Sequence, residues 1–166
     1  MSCWANQLTS LDVSQNTNLT YLRCDDNQLT SLDVSQNTNL TDLHCYRNQL
    51  TSLDLSQNTN LIDLYCWENQ LSSLDLSQNT SLNLLNCSDN PLTSLNVSQN
   101  TMLSNLNCEK NQLSNLDLRN GNNSNLNAIR CLGNANLSCI NVDNPQFSLM
   151  NWTGASFFFD PQHYFS

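Results

Sequence analysis

Apolar residues fall at fixed offsets along most of this chain. From Leu19 they are Leu19, Leu22, Cys24, Leu29, Leu32 and Val34, and the set restarts at Leu40, Leu61, Leu82 and Leu103, each time 21 residues on. Within a unit, apolar and polar positions alternate twice, through Leu22/Cys24 and through Leu32/Val34. A period of two marks a short strand buried on one side. An Asn follows each strand, Asn27 and Asn37 in the first full unit. Its amide can bond backbone groups that a bending chain leaves unpaired. A fixed repeat made of two strand–turn halves predicts stacked coils rather than a globule built from distant elements. The expected architecture is a β-rich, right-handed solenoid of about seven coils. It has two parallel sheets, one from each half-unit, and little helix. At roughly 4.8 Å per coil the body is about 34 Å long.

Read in order, residues 1–18 hold the end of one coil, with Cys3, Leu8, Leu11, Val13 and Asn16 in the repeat positions. Five full units reach to about Asn123, where Gly121 and Asn122 mark an insertion. A stretched copy then runs through Leu126, Ile129, Cys131, Asn134, Leu137, Ile140 and Val142. The repeat stops at Asn144, which divides the chain into a solenoid, 1–143, and an aromatic tail, 144–166, expected to cap the last coil. Phe157, Phe158 and Phe159 cannot all face inward on one strand, so part of the tail is expected to stay outside or to make a contact. Residues 1–6 match Leu22 to Asn27, so the chain opens inside a coil and shows no secretion leader. An excised piece of a longer protein is the expected explanation, because solenoids need capped ends to stay soluble. The uncovered first edge predicts a homodimer joined edge to edge.

Composition sharpens this. Of 166 residues only 39% are hydrophobic and 11% charged, and mean hydropathy is −0.43. That would fill a compact globule poorly, but it suffices for a thin axial stack. A net charge of −9 argues against nucleic acid or an anionic membrane as the main partner. No apolar run approaches the roughly 20 residues of a membrane helix.

Eight cysteines raise the question of disulfides. Cys3, Cys24, Cys45, Cys66, Cys87 and Cys108 are 21 residues apart, and Cys131 takes the same place after the insertion. In-register side chains on parallel strands keep roughly the 4.8 Å strand spacing, whereas a disulfide needs Cβ atoms about 3.8 Å apart. These seven are therefore expected to form a ladder of buried free thiols. No Cys-x-x-Cys or Cys/His pairing points to zinc. Cys139 aligns with the outward Ser31, as an exposed thiol or half of a pairing.

The first half-unit, L-x-x-L-x-C-x-x-N-x-L, fits the leucine-rich repeat consensus with Cys at the third apolar site. With the L-T-S-L-D-V-S-Q-N-T half, the closing N-A-N-L-S-C-I-N-V-D and the N-W-T that follows, the chain resembles leucine-rich repeats of secreted and surface proteins from Bacteroidetes. The resemblance covers essentially the whole chain. It implies a secreted or cell-surface location, no catalytic residues, and roles in adhesion, protein contact or polysaccharide recognition. Such repeats usually carry an N-terminal leader and often a C-terminal sorting domain; neither is here. A Cys often follows N-W-T in them, and its absence here leaves Cys139 without that partner.

The repeats can also be compared with one another. On the second strand the outward residues barely change: Thr30, Ser31, Asp33, Ser35 and Gln36 recur as Thr51, Ser52, Asp54, Ser56 and Gln57. On the first strand they vary from coil to coil. One row reads Arg23, His44, Tyr65, Asn86, Asn107, Arg130, and another Trp4, Asp25, Tyr46, Trp67, Ser88, Glu109. A constant face satisfies a structural rule, while a varied one can carry information about a partner. Trp4, Tyr21, Arg23, His44, Tyr46, Arg47, Tyr65, Trp67 and Glu68 are therefore the expected binding face, for a protein or a polysaccharide. Cross-strand packing of the aromatics is the competing explanation. On the constant face Asp12, Asp33, Asp54, Asp75 and Asp117 form a row of like charge. Hydroxyl partners, partial protonation or calcium would each relieve it. One carboxylate per coil is a thin ligand set, so calcium is only a weak candidate and no other cofactor is expected. Carboxylate pairs on a flat surface also give no basis for an enzyme. A structural spacer that makes contact through its ends is the alternative function.

Overall fold

The computed structural model describes residues 1–166, and it is a solenoid of parallel strands. The first half-units give β1 (Tyr21–Arg23), β2 (Asp42–His44), β3 (Asp63–Tyr65) and β4 (Leu84–Asn86). From there both halves contribute: β5 (Ser94–Asn96), β6 (Asn105–Asn107), β7 (Asn115–Asp117), β8 (Ala128–Arg130) and β9 (Cys139–Asn141). The tail adds the helix α1 (Pro145–Asn151) and two short strands, β10 (Phe157–Phe158) and β11 (Tyr164–Phe165). One sheet runs β1-β2-β3-β4-β6-β8-β10 and the other β5-β7-β9-β11. Register follows the repeat, with Leu22 opposite Leu43 and Leu43 opposite Leu64. Residues one unit apart therefore stand in rows across the sheet.

A continuous core of Leu, Val, Ile and Cys lies between the two faces. Cys24, Cys45, Cys66, Cys87, Cys108 and Cys131 are buried in it and unbridged. Burial pushes the thiols of Cys24, Cys87 and Cys131 up to about 12, and those of Cys45, Cys66 and Cys108 well above their ordinary value. These residues pack as small hydrophobes, not as nucleophiles. Cys3 and Cys139 are half-buried, and the Cys139 sulfur touches the Ser166 hydroxyl.

Two asparagine ladders tie coil to coil. Asn69 Nδ2 donates to the carbonyls of Cys45 and Cys66, each at 3.0 Å, and its Oδ1 accepts from Leu50 N at 3.0 Å. Asn48, Asn90 and Asn111 repeat the pattern. On the other side Asn58 Nδ2 reaches Val34 O and Asn37 O. The amides thus take over the backbone pairing that helices or longer strands would otherwise supply.

The second sheet starts only at β5. The matching stretches of earlier coils are extended but not laddered, and polar clefts of about 270 and 280 Å³ open beside Asp54, Asp75 and Asn96. The difference follows the charge row. Asp12, Asp33, Asp54 and Asp75 recur once per coil along the unladdered part, and a row of like charge disfavours close pairing of strands. In the ladder, Asn96 and Asn141 replace the acid, and Asp117 is paired with Arg119 at 2.6 Å.

At the far end Asn144 caps α1 by accepting from Phe147 N at 3.1 Å, with Pro145 opening the helix. Trp152 is buried, stacked 6.0 Å from Phe157 and edge-on to Phe165 at 5.4 Å. Phe157 and Phe159 pack against the core, whereas Phe158 lies under Arg130. Asp160 fastens the tail by accepting from Gly133 N and Asn134 N.

Candidate functional site

The outward residues of β1 to β4 and of the turns that follow build one connected surface. Tyr21, His44 and Tyr65 come from three consecutive coils, with ring centroids 5.5 and 4.5 Å apart. Beside them Tyr46 and Trp67 stack at 4.5 Å with planes only 10° apart. The Arg23 guanidinium lies 4.3 Å over Trp4, and that of Arg47 4.6 Å over Trp67. Arg23 also donates to the Tyr46 hydroxyl at 3.3 Å, which links the two rows. The structure therefore brings Trp4, Tyr21, Arg23, His44, Tyr46, Arg47, Tyr65 and Trp67 into one ridge. Glu68 joins at its border through Arg47, at 3.2 Å. Each stacked pair contributes about 0.2–1 kcal/mol, and the Arg47 pairs with Glu68 and Asp26 are exposed and weak.

Asp25 departs from expectation. Its place in the row is outward, yet the side chain is fully buried. Arg23 folds over it and grips both oxygens, at 2.9 and 3.3 Å, so Asp25 is a buried anchor that fixes Arg23 within the ridge and is not itself exposed on it. No sequence signal short of the Arg23–Asp25 spacing on one strand face shows this.

A second feature escapes the sequence pattern. Ala5, Asp26, Arg47, Glu68, Asp89 and Lys110 all have φ between 49 and 54°. This left-handed conformation costs an L-residue roughly 1–2 kcal/mol. Coil-to-coil bonds hold it, such as Arg47 N to Trp67 O at 2.9 Å. The turn throws the charged side chains of this row outward beside the aromatic ridge. Gly133 occupies the same turn one coil later, at φ 76°.

Burial sets the ionisation of the ridge. The His44 pKa is lowered by desolvation, so the ring is neutral near pH 7, while burial raises the Tyr46 and Tyr65 hydroxyls and keeps them protonated. Asp63, beside Tyr65 on the same face of β3, is raised by burial and by the nearby Asp42.

The carboxylates of the constant face are arranged differently. Asp12, Asp33, Asp54 and Asp75 each accept, at 2.9 Å, from the backbone N–H of the Ser two residues on. Bonds from that serine lower all four pKa values. Asp117 is lowered by its bonds to Arg119. Partial protonation is therefore not how the row is relieved; the acids stay ionised and exposed, each bonded to its own turn. No three His, Cys, Asp or Glu side chains converge on a point that could hold a metal ion. No helix is long and apolar enough to cross a membrane.

No family model matches the chain, and no characterised protein sequence matches it significantly. Solved structures do. The functional domain of InlJ from Listeria monocytogenes, described as including a cysteine ladder, is 39% identical over 83% of this chain and 30% of that one, with a TM-score of 0.80. A leucine-rich repeat protein of Leptospira interrogans is 23% identical over 97% of this chain and 41% of its own, TM-score 0.67. An internalin of Listeria monocytogenes is 22% identical over 95% of this chain and 51% of its own, TM-score 0.65. The chain thus spans about a third to a half of the proteins it resembles. Its fold is that of a leucine-rich repeat solenoid, and its row of buried thiols has a counterpart in the cysteine ladder of InlJ.

Proposed function

We propose that this chain is a non-enzymatic protein-recognition module whose contact surface is the outward face of the longer sheet. The observation that carries this is the contrast between two faces of one repeat. The second half-unit repeats the same Asp–Ser turn in most coils, whereas β1 to β3 and the turns that follow them concentrate aromatic and arginine side chains in a single ridge. Aromatic and arginine residues are the usual anchors of protein interfaces. They stand here on a fully laddered, in-register sheet, so little ordering is left for binding to impose. A polysaccharide fits less well, because sugar stacking needs a free ring face. Tyr46 already covers one face of Trp67, Arg23 packs on Trp4, and His44 lies between Tyr21 and Tyr65. The resemblance of the repeats to those of secreted and surface proteins supports a place outside the cell.

A random peptide library panned against the whole chain tests this. Selected peptides should shift the amide resonances of Tyr46, Tyr65 and Trp67, and should lose binding to Tyr46→Ala and Trp67→Ala variants that melt as the parent does. Peptides that bind the coil ends and ignore both substitutions would make the chain a spacer and overturn the reading.

A further inference from the structure

Beyond Tyr65 the face changes character. The ridge ends, and a hollow of about 180 Å³ opens over β4, β6 and β8, between Tyr65 on one side and Arg130 on the other. Asn86, Asn105, Asn107, Leu84 and Ala128 form its floor, and of the three asparagines Asn86 and Asn107 are fixed by bonds. These two are oriented. Asn86 Oδ1 accepts from Ser88 N at 3.2 Å and from the Ser88 hydroxyl at 2.9 Å, and Asn107 Oδ1 accepts from Glu109 N at 3.1 Å. A backbone N–H must be met by oxygen, so each amide group has its oxygen turned to its own strand and its NH2 left without a protein partner.

Arg130 is the other unusual group. Arg23, Arg47, Lys110 and Arg119 each sit within 4 Å of a carboxylate, and Arg130 does not. Its guanidinium is held over the Phe158 ring at 5.2 Å, a stacking that orients its plane without neutralising its charge. In a chain of net charge −9, the one basic side chain with no acidic partner stands at the rim of a hollow whose oriented amides offer donors. Five of the acids lie on the opposite face, bonded to their own turns, and the Debye length of about 8 Å at physiological salt screens them from this one. Glu109, the acid in the adjacent turn, forms no ion pair with Arg130.

We propose that this hollow is the specificity pocket of the recognition face and takes a glutamate or aspartate side chain of a protein partner. The carboxylate meets Arg130 and the Asn86 and Asn107 amides, and the methylenes rest on Leu84 and Ala128. A carboxylate only accepts hydrogen bonds, which matches a site whose oriented groups are donors. The protonated Tyr65 hydroxyl adds a further donor at the opposite wall. A sugar's hydroxyls also need acceptors, and two of the hollow's amides have already committed theirs. The proposal rests on the reading of this face as protein-binding, and it locates which part of a partner the face selects.

The test is an NMR titration of the whole chain with acetyl-Ala-Glu-Ala-amide, its Gln counterpart and glucuronate. The Glu peptide should shift the Asn86 and Asn107 side-chain amides and the Arg130 Nε–H. The Gln peptide should bind at least about fivefold more weakly, and Arg130→Gln should lose a similar factor for the Glu peptide. Arg119→Gln, on the other face, should change nothing. Equal shifts from the Glu and Gln peptides, or full binding to Arg130→Gln, would overturn the pocket. Tighter saturation by glucuronate than by the Glu peptide would overturn it in favour of an acidic saccharide. These outcomes are separate from the Tyr46 and Trp67 variants: library peptides lost there but indifferent to Arg130→Gln would leave the face and remove the pocket.

Discussion

Replacing Asn69 by Ala isolates the contribution of one rung of the asparagine ladder. The side chain makes three good bonds, but their loss is unequal. Cys45 O also accepts from Asn48 Nδ2 at 3.1 Å, and Cys66 O from Asn90 Nδ2 at 3.1 Å, so each carbonyl keeps one partner. Leu50 N has only Asn69 Oδ1, and Leu50 is fully buried. The variant therefore orphans one buried N–H, which costs about 1–3 kcal/mol. For a chain of this length roughly 2 kcal/mol lowers Tm by about 4–8 °C. Asn86→Ala is the comparison variant: it removes the acceptor of Ser88 N, but through a longer, partly buried bond of 3.2 Å, so it should cost less, about 1 kcal/mol. Calorimetry of the parent and both variants decides. An Asn69→Ala variant that melts with the parent, or no lower than Asn86→Ala, would refute the claim that these amides replace backbone pairing.

Three further outcomes are expected. Thiol titration of the native protein should label at most Cys3 and Cys139, and denaturation should release all eight, since burial raises the other six thiols; intact-mass detection of several disulfides would contradict this. The His44 pKa is depressed by burial, so its contribution to stability is full above the unfolded value near 6.5 and is lost as pH falls through the folded value. Proton NMR of the ring should titrate below about 6.5, and His44→Gln should flatten the fall in stability on acidification through that range. Addition of calcium at constant ionic strength should leave Tm unchanged, because the Asp12 to Asp75 carboxylates bond their own turns; a saturable rise lost in Asp54→Asn would show an ion site after all.

The coils were legible because a 21-residue period constrains every position at once: Leu22, Cys24 and Asn27 repeat with the same burial and the same bonds. The rows of the face were legible for the same reason. What escaped the pattern depends on contacts within a single coil or on backbone angle. Asp25 reads as outward until Arg23 is seen to close over it. Arg47, Glu68 and Lys110 give no hint of φ near 50°, because such long side chains are not usual occupants of a left-handed turn; Asp26 and Asp89, of a type that does visit it, and Gly133 at the equivalent site were the available clues. The helix at Pro145 was not anticipated, although Asn144-Pro145 offers a cap followed by a first-turn proline. Arg130 was visible in its row, but its lack of a carboxylate is a distance and cannot be read from spacing.

The placement of the candidate site follows from how the two faces are held. Every requirement of the fold is met inside the coil or on the constant face: Leu and Cys fill the axis, Asn bonds the backbone, and the Asp–Ser turns close the second half. The outward positions of β1 to β4, β6 and β8 enter only through local bonds to the following turn, as at Asn86 and Asn107, so they can vary at small cost to the stack. That same sheet is the only one laddered along all seven of its strands, whereas the opposite side is split by polar clefts beside Asp54 and Asp75. Freedom to vary and rigidity of the platform thus coincide on one surface. A spacer needs neither, since it would be served as well by the uniform face on both sides. The left-handed turns sharpen the point: Asp26, Arg47, Glu68, Asp89 and Lys110 each hold a conformation that glycine would adopt without strain, and what the chain keeps in exchange is a row of charged side chains flanking the aromatic ridge.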